Sequence, residues 1–140
     1  TRDNVESILK QQGVYRDQTN VDDELLEILL GPADDEGAET VFLKTFAGDP
    51  GPTPEEILPN LECPVIAIWG GSDPWTPVDG GMHPGNKFHE YSHDFELHTI
   101  PDCGHCPHDE APDAVNSLML TWLQGLDDRR KKRAAQETRR

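Results

Sequence analysis

An aspartate and a histidine each stand just beyond a segment that the sequence predicts to be a β-strand. Asp73 follows the apolar run Val65–Trp69, and His105 follows the segment Phe95–Ile100. In open parallel sheets, ligands bind beyond the carboxyl ends of the strands. A carboxylate that holds one ring nitrogen of a histidine fixes its tautomer and stabilises the imidazolium, so the histidine can take a proton from an alcohol. If the two strands are neighbours, these residues predict the acid and the base of a catalytic site.

Glycines adjoin both positions. Gly70 and Gly71 separate the first strand from Asp73, and Gly104 directly precedes His105. Glycine adopts backbone conformations that other residues avoid. We therefore expect these glycines to let the chain turn tightly just past each strand end.

The second half of the chain predicts an α/β fold with a mostly parallel sheet. The run Val65–Trp69 is almost continuously apolar and β-branched, which favours a strand buried on both faces. Phe95–Ile100 shows the alternation of a second strand. The final segment, which begins near Pro112, predicts a helix with one buried face. That face consists of Val115, Leu118, Met119, Trp122, Leu123 and Leu126.

The first sixty residues predict helices joined by loops. Asn20 is the expected N-cap of the second helix, and Thr53 with Glu56 forms a capping-box pattern before the strands begin. Three groups of apolar residues are expected to be buried: Val5, Ile8 and Leu9; Leu25, Ile28 and Leu29; Val41, Phe42 and Phe46. Near the last helix, Asp109 and Glu110 are expected to cap it or to interact with its dipole.

The charge of the chain excludes some classes of partner. The net charge is −15, although the last 14 residues, 127–140, hold seven basic and only three acidic side chains. Such an acidic body repels nucleic-acid phosphates, so we expect no nucleic-acid partner. No apolar run approaches about 18 residues, so we expect no transmembrane segment. The basic end is expected to be a solvated, disordered tail.

Two motifs resemble the α/β-hydrolase superfamily. Pro64–Pro77 looks like its acid-bearing strand and loop, and Ile100–Pro112 looks like its histidine loop with the start of the final helix. That superfamily orders its triad as Ser, then Asp or Glu, then His. The resemblance implies that Asp73 is the triad acid and His105 the base. It also implies the C-terminal part of a doubly wound, mostly parallel α/β-hydrolase sheet, preceded by a helical lid.

The resemblance implies a division of the chain into three regions and a similarity to one subfamily. Residues 1–60 would form the lid, residues 61–126 the C-terminal part of the core, and residues 127–140 the tail. The motifs Asp-Pro-Trp-Thr-Pro and Gly-His-Cys-Pro-His-Asp-Glu-Ala-Pro are similar to pheophytinase-like and chlorophyll-dephytylase-like hydrolases of plants and algae. This implies hydrolysis of a carboxylic ester, such as a phytyl ester, with no cofactor and in the chloroplast. Trp75 is a candidate wall of a pocket for an apolar ester.

The chain departs from the family pattern at the nucleophile. It contains no Gly-x-Ser-x-Gly motif, and its serines are Ser7, Ser72, Ser92 and Ser117. Ser72 adjoins the predicted acid, and Pro74 replaces the last glycine of the motif. We therefore expect the nucleophile to lie in an N-terminal part of the hydrolase core outside these residues. The 140-residue chain by itself is expected to be inactive.

Other interpretations of the same residues remain open. The thiols and imidazoles of Cys103–His108 are of the types that bind zinc, although four ligands crowd poorly into one short loop. Cys103 and Cys106 have the spacing of a redox pair, but no helix follows at once. Asp102 is an alternative acid. A non-catalytic hydrolase-like scaffold, or an epoxide hydrolase or haloalkane dehalogenase with an aspartate nucleophile, would use the same fold.

Overall fold

The computed structural model describes the backbone of residues 1–137 and the side chains of residues 1–131. Its helices are α1 (Arg2–Gln11), α2 (Asp23–Leu30), α3 (Ala38–Ala47), α4 (Pro54–Ile57), α5 (Pro107–Glu110) and α6 (Pro112–Glu137). Its strands are β1 (Val65–Gly70) and β2 (Phe95–Ile100). Turns of 3₁₀ helix occur at Gln18–Asn20, Gly31–Asp34, Leu58–Asn60 and Gly85–Glu90. No helix within the described residues is long and apolar enough to cross a membrane.

The two strands are parallel neighbours, as the sequence predicts. Val65 pairs with Phe95 and Gly70 pairs with Ile100, so the carboxyl ends of both strands lie at one edge. The described part of the chain forms a sheet of these two strands. Within the described residues the side chains of Val65–Trp69 are half-buried, which differs from the expected burial on both faces.

Two small apolar clusters hold the fold together. One lies in the helical region and consists of Leu9, Val14, Tyr15, Val21 and Leu26. The other lies between β2 and α6 and consists of Ile100, Cys103 and Val115. Cys106, from the loop after β2, packs against the first cluster, while Cys103 belongs to the second. The loop that carries His105 thus connects the two clusters.

The predicted N-cap is correct for α4 and wrong for α2. The capping box of Thr53 and Glu56 is present at the start of α4. The N-cap of α2 is Asp22, whose carboxylate accepts a hydrogen bond of 2.9 Å from the backbone N–H of Leu25. Asn20 is not the cap, because it ends the preceding 3₁₀ turn and its side-chain amide donates to Glu110 O instead, at 3.4 Å.

The predicted apolar face of α2 is correct only for Leu25, which packs against the first cluster. Leu26 is the buried residue, whereas Ile28 is 63% and Leu29 47% exposed. Five apolar residues among the eight of this helix leave more than one possible face, and packing against α1 selects Leu26. The third group of apolar residues is exposed as well, at 66% for Val41, 62% for Phe42 and 76% for Phe46.

The last helix is longer and less buried than the sequence predicts. Val115 is buried, but Met119 and Leu123 are more than 40% exposed. The backbone of this helix continues to Glu137, into the segment for which the sequence predicts a disordered tail. Arginine, lysine, alanine and glutamine favour helix, and no glycine or proline interrupts the segment after Gly125. The end of the expected tail, residues 138–140, lies outside the described residues, and the division into three stretches stays a prediction.

The glycines beside the strand ends are needed for space. Gly70 begins a tight turn, as expected, because the backbone N–H of Asp73 donates to Gly70 O at 3.3 Å, although neither Gly70 nor Gly104 has a positive φ. A Cβ atom on Gly70 would lie 1.7 Å from the carbonyl oxygen of Gly104. A Cβ atom on Gly104 would lie 2.3 Å from the carbonyl oxygen of Val14. The strand end, the histidine loop and the segment after α1 therefore meet backbone to backbone.

We expect Gly70→Ala to lower the free energy of unfolding by on the order of 3 kcal/mol, because a methyl group there must push the histidine loop away. Urea unfolding followed by circular dichroism measures the change. Gly125→Ala is the matched control: nothing lies within 4 Å of its added Cβ, and a helical alanine should be neutral or stabilising. Equal stabilities of the two variants would contradict the close approach at Gly70.

Candidate active site

The structure brings the predicted acid and base into contact. The Oδ2 atom of Asp73 lies 2.9 Å from Nδ1 of His105. Two backbone bonds join the loops that carry them: Gly71 N donates to Ile100 O at 2.8 Å, and Ser72 N donates to Cys103 O at 2.9 Å. The parallel register places the loops side by side, and these bonds lock their relative position.

The carboxylate of Asp73 is buried and saturated with hydrogen-bond donors. The hydroxyl group of Thr76 donates to Oδ2 at 2.7 Å. Backbone N–H groups of Trp75 and Thr76 donate to Oδ1 at 2.9 and 3.1 Å. Burial by itself would raise the pKa of Asp73, but the hydrogen bonds from Thr76, His105 and Trp75 outweigh it, so the pKa lies below its ordinary value. The residue is therefore a carboxylate at neutral pH.

The imidazole of His105 is held from one side and accessible from the other. Its side chain is 33% exposed, in contrast to 3% for that of Asp73. Because the ionised carboxylate can only accept a hydrogen bond, Nδ1 carries the hydrogen, and in the neutral imidazole the other ring nitrogen, Nε2, has the lone pair. Both residues line a cavity of about 170 Å³. Its other walls are Ile68, Trp69, Gly70, Thr76 and Pro107.

Trp75 lies directly beside the histidine. The two ring centroids are 5.4 Å apart and the rings are tilted by 44°. Trp75 is about half exposed. This position agrees with a pocket wall, which stays a prediction.

The segment after α1 contacts the histidine loop, and sequence reasoning missed this contact. The backbone N–H of His105 donates to Val14 O at 2.7 Å. The hydroxyl group of Tyr15 donates to Asp109 at 2.5 Å, and burial together with this carboxylate raises the pKa of Tyr15. The carboxylate of Glu110 also faces this segment. The position of Asp109 and Glu110 near a helix start predicts capping or dipole contacts, and it contains no signal for partners more than 90 residues away.

Ser72 and Asp102, the alternative nucleophile and the alternative acid, do not contact the imidazole of His105 through hydrogen bonds between described side chains. Ser72 is exposed, and among the described side chains it forms no hydrogen bond with His105. Asp102 is exposed in a left-handed turn with φ of 53°, and its side chain makes no hydrogen bond to His105 in the part of the chain that is described.

The two cysteines of the histidine loop face different clusters. Burial raises the pKa of Cys103 to about 11 and also raises that of Cys106. Thiols with raised pKa values are poor nucleophiles and poor metal ligands. Within residues 1–131, no three His, Cys, Asp or Glu side chains are arranged to hold a metal ion. The zinc and redox interpretations of Cys103–His108 therefore have no geometric support.

The sequence model of the alpha/beta hydrolase family matches residues 8–118, so the chain belongs to that family. The fold agrees with this. A solved structure of a serine hydrolase involved in carbazole degradation superimposes with a TM-score of 0.73 at 23% identity. The match covers 89% of this chain and 47% of that enzyme, and it shows the fold.

Curated relatives match the chain over shorter stretches. A 2-hydroxy-6-oxononadienedioate/2-hydroxy-6-oxononatrienedioate hydrolase from a Pseudomonas species is 36% identical over 67 residues, which are 48% of this chain and 22% of that protein. A similarly named hydrolase from Klebsiella pneumoniae is 30% identical over 84 residues, 59% of this chain and 28% of the relative. The chloroplastic pheophytinase of Arabidopsis thaliana is 34% identical over 65 residues, 45% and 12% of the two chains. The chain thus spans less than a third of these relatives.

We expect Thr76→Val to raise the pKa of Asp73, because the 2.7 Å hydrogen bond from the hydroxyl group is lost without a change in side-chain volume. A carboxyl-carbon NMR titration measures it. Asp17, which accepts hydrogen bonds from Thr19 and has a lowered pKa of its own, is the internal control and should not shift.

The same variant should alter the pH dependence of stability. The folded pKa of Asp73 lies below the value of about 3.9 in an unfolded chain, so the ionised group stabilises the fold above that pH. This contribution is lost as the pH falls through the folded pKa. Thr76→Val should show a smaller loss between neutral pH and the acid range, and an unchanged titration of Asp73 would contradict the assignment.

Proposed function

We propose that the protein hydrolyses a carboxylic ester through a Ser–His–acid triad, in which Asp73 is the acid and His105 the base. The hydrogen bond of 2.9 Å between Asp73 and Nδ1 of His105 carries this proposal. A buried, ionised carboxylate on Nδ1 leaves the lone pair on Nε2, which is the arrangement that a general base requires. Membership of the alpha/beta hydrolase family supports the same chemistry.

The proposed reaction proceeds through an acyl-enzyme. His105 takes the proton of a serine hydroxyl group as the serine oxygen attacks the ester carbonyl carbon, and then gives that proton to the departing alcohol. In the second half, His105 deprotonates a water molecule as the water oxygen attacks the acyl carbon, and it then gives that proton to the serine oxygen as the bond between this oxygen and the acyl carbon breaks and the acid is released. Asp73 stays ionised throughout and stabilises the imidazolium in both halves.

The nucleophile is proposed to come from another segment of the whole protein. These 140 residues contain no Gly-x-Ser-x-Gly, the motif that presents the serine in this family. The loops of Asp73 and His105 leave a cavity beside the imidazole, where a serine from a neighbouring strand would have to lie.

We propose a neutral, apolar ester as substrate. A groove of about 660 Å³ between α2 and α3 is lined by Leu29, Val41, Phe42 and Phe46, and Trp75 lies next to the histidine. A net charge of −15 disfavours a doubly negative substrate such as the dioates for which two of the relatives are named. The match to pheophytinase supports a phytyl ester and a chloroplast location.

We expect His105→Ala and Asp73→Asn in the whole protein to lower kcat by about 10⁴-fold, because either change removes the correctly oriented base. Release of an alcohol from a long-chain model ester measures the rate. His89→Gln, in an exposed position of the 3₁₀ turn Gly85–Glu90, is the control and should retain the full rate. Near-normal hydrolysis by either triad variant would refute the proposal and favour a non-catalytic scaffold or an aspartate nucleophile.

The 140-residue chain by itself should show no ester hydrolysis above the rate of its His105→Ala variant. Members of a triad act as a unit, so an acid and a base without their serine contribute almost nothing. The same model ester and the same assay apply. Turnover that disappears on Ser72→Ala would instead identify Ser72 as the nucleophile and overturn the proposal of a serine from another segment.

A further inference from the structure

The carboxylate of Glu110 accepts hydrogen bonds from three backbone N–H groups, one in the histidine loop and two in the segment after α1. Its Oε2 atom accepts from Gly104 at 2.8 Å and from Arg16 at 3.1 Å, and its Oε1 atom accepts from Asp17 at 2.9 Å. Hydrogen bonds to an ionised acceptor are stronger than those between neutral groups. One side chain therefore joins the residue before His105 to the segment after α1.

The same segment also holds the histidine itself. Val14 O accepts the backbone N–H of His105 at 2.7 Å. Gly104 is buried, and an added Cβ atom would lie only 2.3 Å from Val14 O, so the histidine loop packs closely against this segment. The hydrogen bonds of Glu110 with Arg16 N–H and Asp17 N–H lie directly beside this contact and hold the segment that contains Val14 O against the histidine loop.

We propose that Glu110 is a positioning residue for His105: it fixes the histidine loop against residues 13–17 so that Nδ1 stays on Asp73. This inference rests on the proposed role of the Asp73–His105 pair. Glu110 acts through the backbone of Gly104 and touches neither the imidazole nor the reacting atoms. An imidazole displaced by about 1 Å can cost about 10²-fold in rate, so a loop anchor of this kind bears directly on turnover.

The test compares Glu110→Ala and Glu110→Gln in the whole protein by three measurements. The first is the downfield proton resonance of Nδ1–H of His105, assigned by its loss in His105→Ala. The second is deuterium uptake by the backbone amides of residues 103–106. The third is the separation of kcat from KM on the model ester. Asp113→Asn is the matched control, because it removes an exposed carboxylate from the first turn of α6.

Glu110→Ala should weaken or abolish the Nδ1–H resonance, speed amide exchange in the loop at least about tenfold, and lower kcat by about 10- to 100-fold with little change in KM. Glu110→Gln keeps one carbonyl oxygen, which can still accept from both Gly104 and Arg16, and places an NH₂ group against Asp17 N–H. It should therefore recover part of all three losses. The control should match the unsubstituted protein.

A Glu110→Ala or Glu110→Gln variant that is less stable but keeps the resonance and kcat would overturn the inference, since Glu110 would then be structural only. If Glu110→Ala does not fold, the Glu110→Gln variant provides the test. An Nδ1–H resonance and a kcat equal to those of the unsubstituted protein would then also overturn the inference. Failure of the proposed function looks different. In that case Asp73→Asn hydrolyses normally and the unsubstituted protein already lacks the resonance, and the role of Glu110 is lost with it.

Discussion

The parallel pairing of β1 and β2 is the constraint on which the site depends. Its register sets Gly70 opposite Ile100, so both strands end at the same edge and the loops that follow them have to meet. The carboxylate of Asp73 then needs only a turn of three residues to reach the histidine, and Thr76 completes its set of donors. A shift of the register by one residue would exchange the faces of β2 and separate the pair.

The helical first part of the chain does more than cover the sheet. Residues 13–17 contact the histidine loop through backbone bonds, through Tyr15 and through Glu110, and they share an apolar cluster with Cys106. The base is thus held on two sides: by Asp73 at its ring and by the segment after α1 at its backbone. The described cores are small, so such polar contacts hold together parts that apolar packing joins only weakly.

Sequence patterns predict the strands and helices of this fold better than they predict the tertiary contacts between them. The strands, the capping box at Thr53 and the proximity of Asp73 and His105 follow from local chemistry and from the rule that parallel strands end together. The burial of α2 and α3 could not be read in the same way, since apolar residues are spread around both helices and only tertiary packing selects Leu26. The hydrogen-bond partners of Glu110 could not be predicted for a related reason. An acidic residue near a helix start is explained locally by the helix dipole, whereas Arg16, which donates to Glu110, lies 94 residues away in the sequence.

The distance along the chain between residues 13–17 and the histidine loop bears on when the site forms. The bonds between Tyr15 and Asp109 and between Arg16 and Glu110 each close a loop of 94 residues. Closing such loops costs entropy before any contact is gained, which places these bonds late in folding. During synthesis α1 and α2 are made before residues 105–109, so the N–H group of His105 and the carboxylate of Asp109 are not yet present to bond with Val14 O and the hydroxyl group of Tyr15. We therefore expect the histidine to be aligned only after the strands have paired.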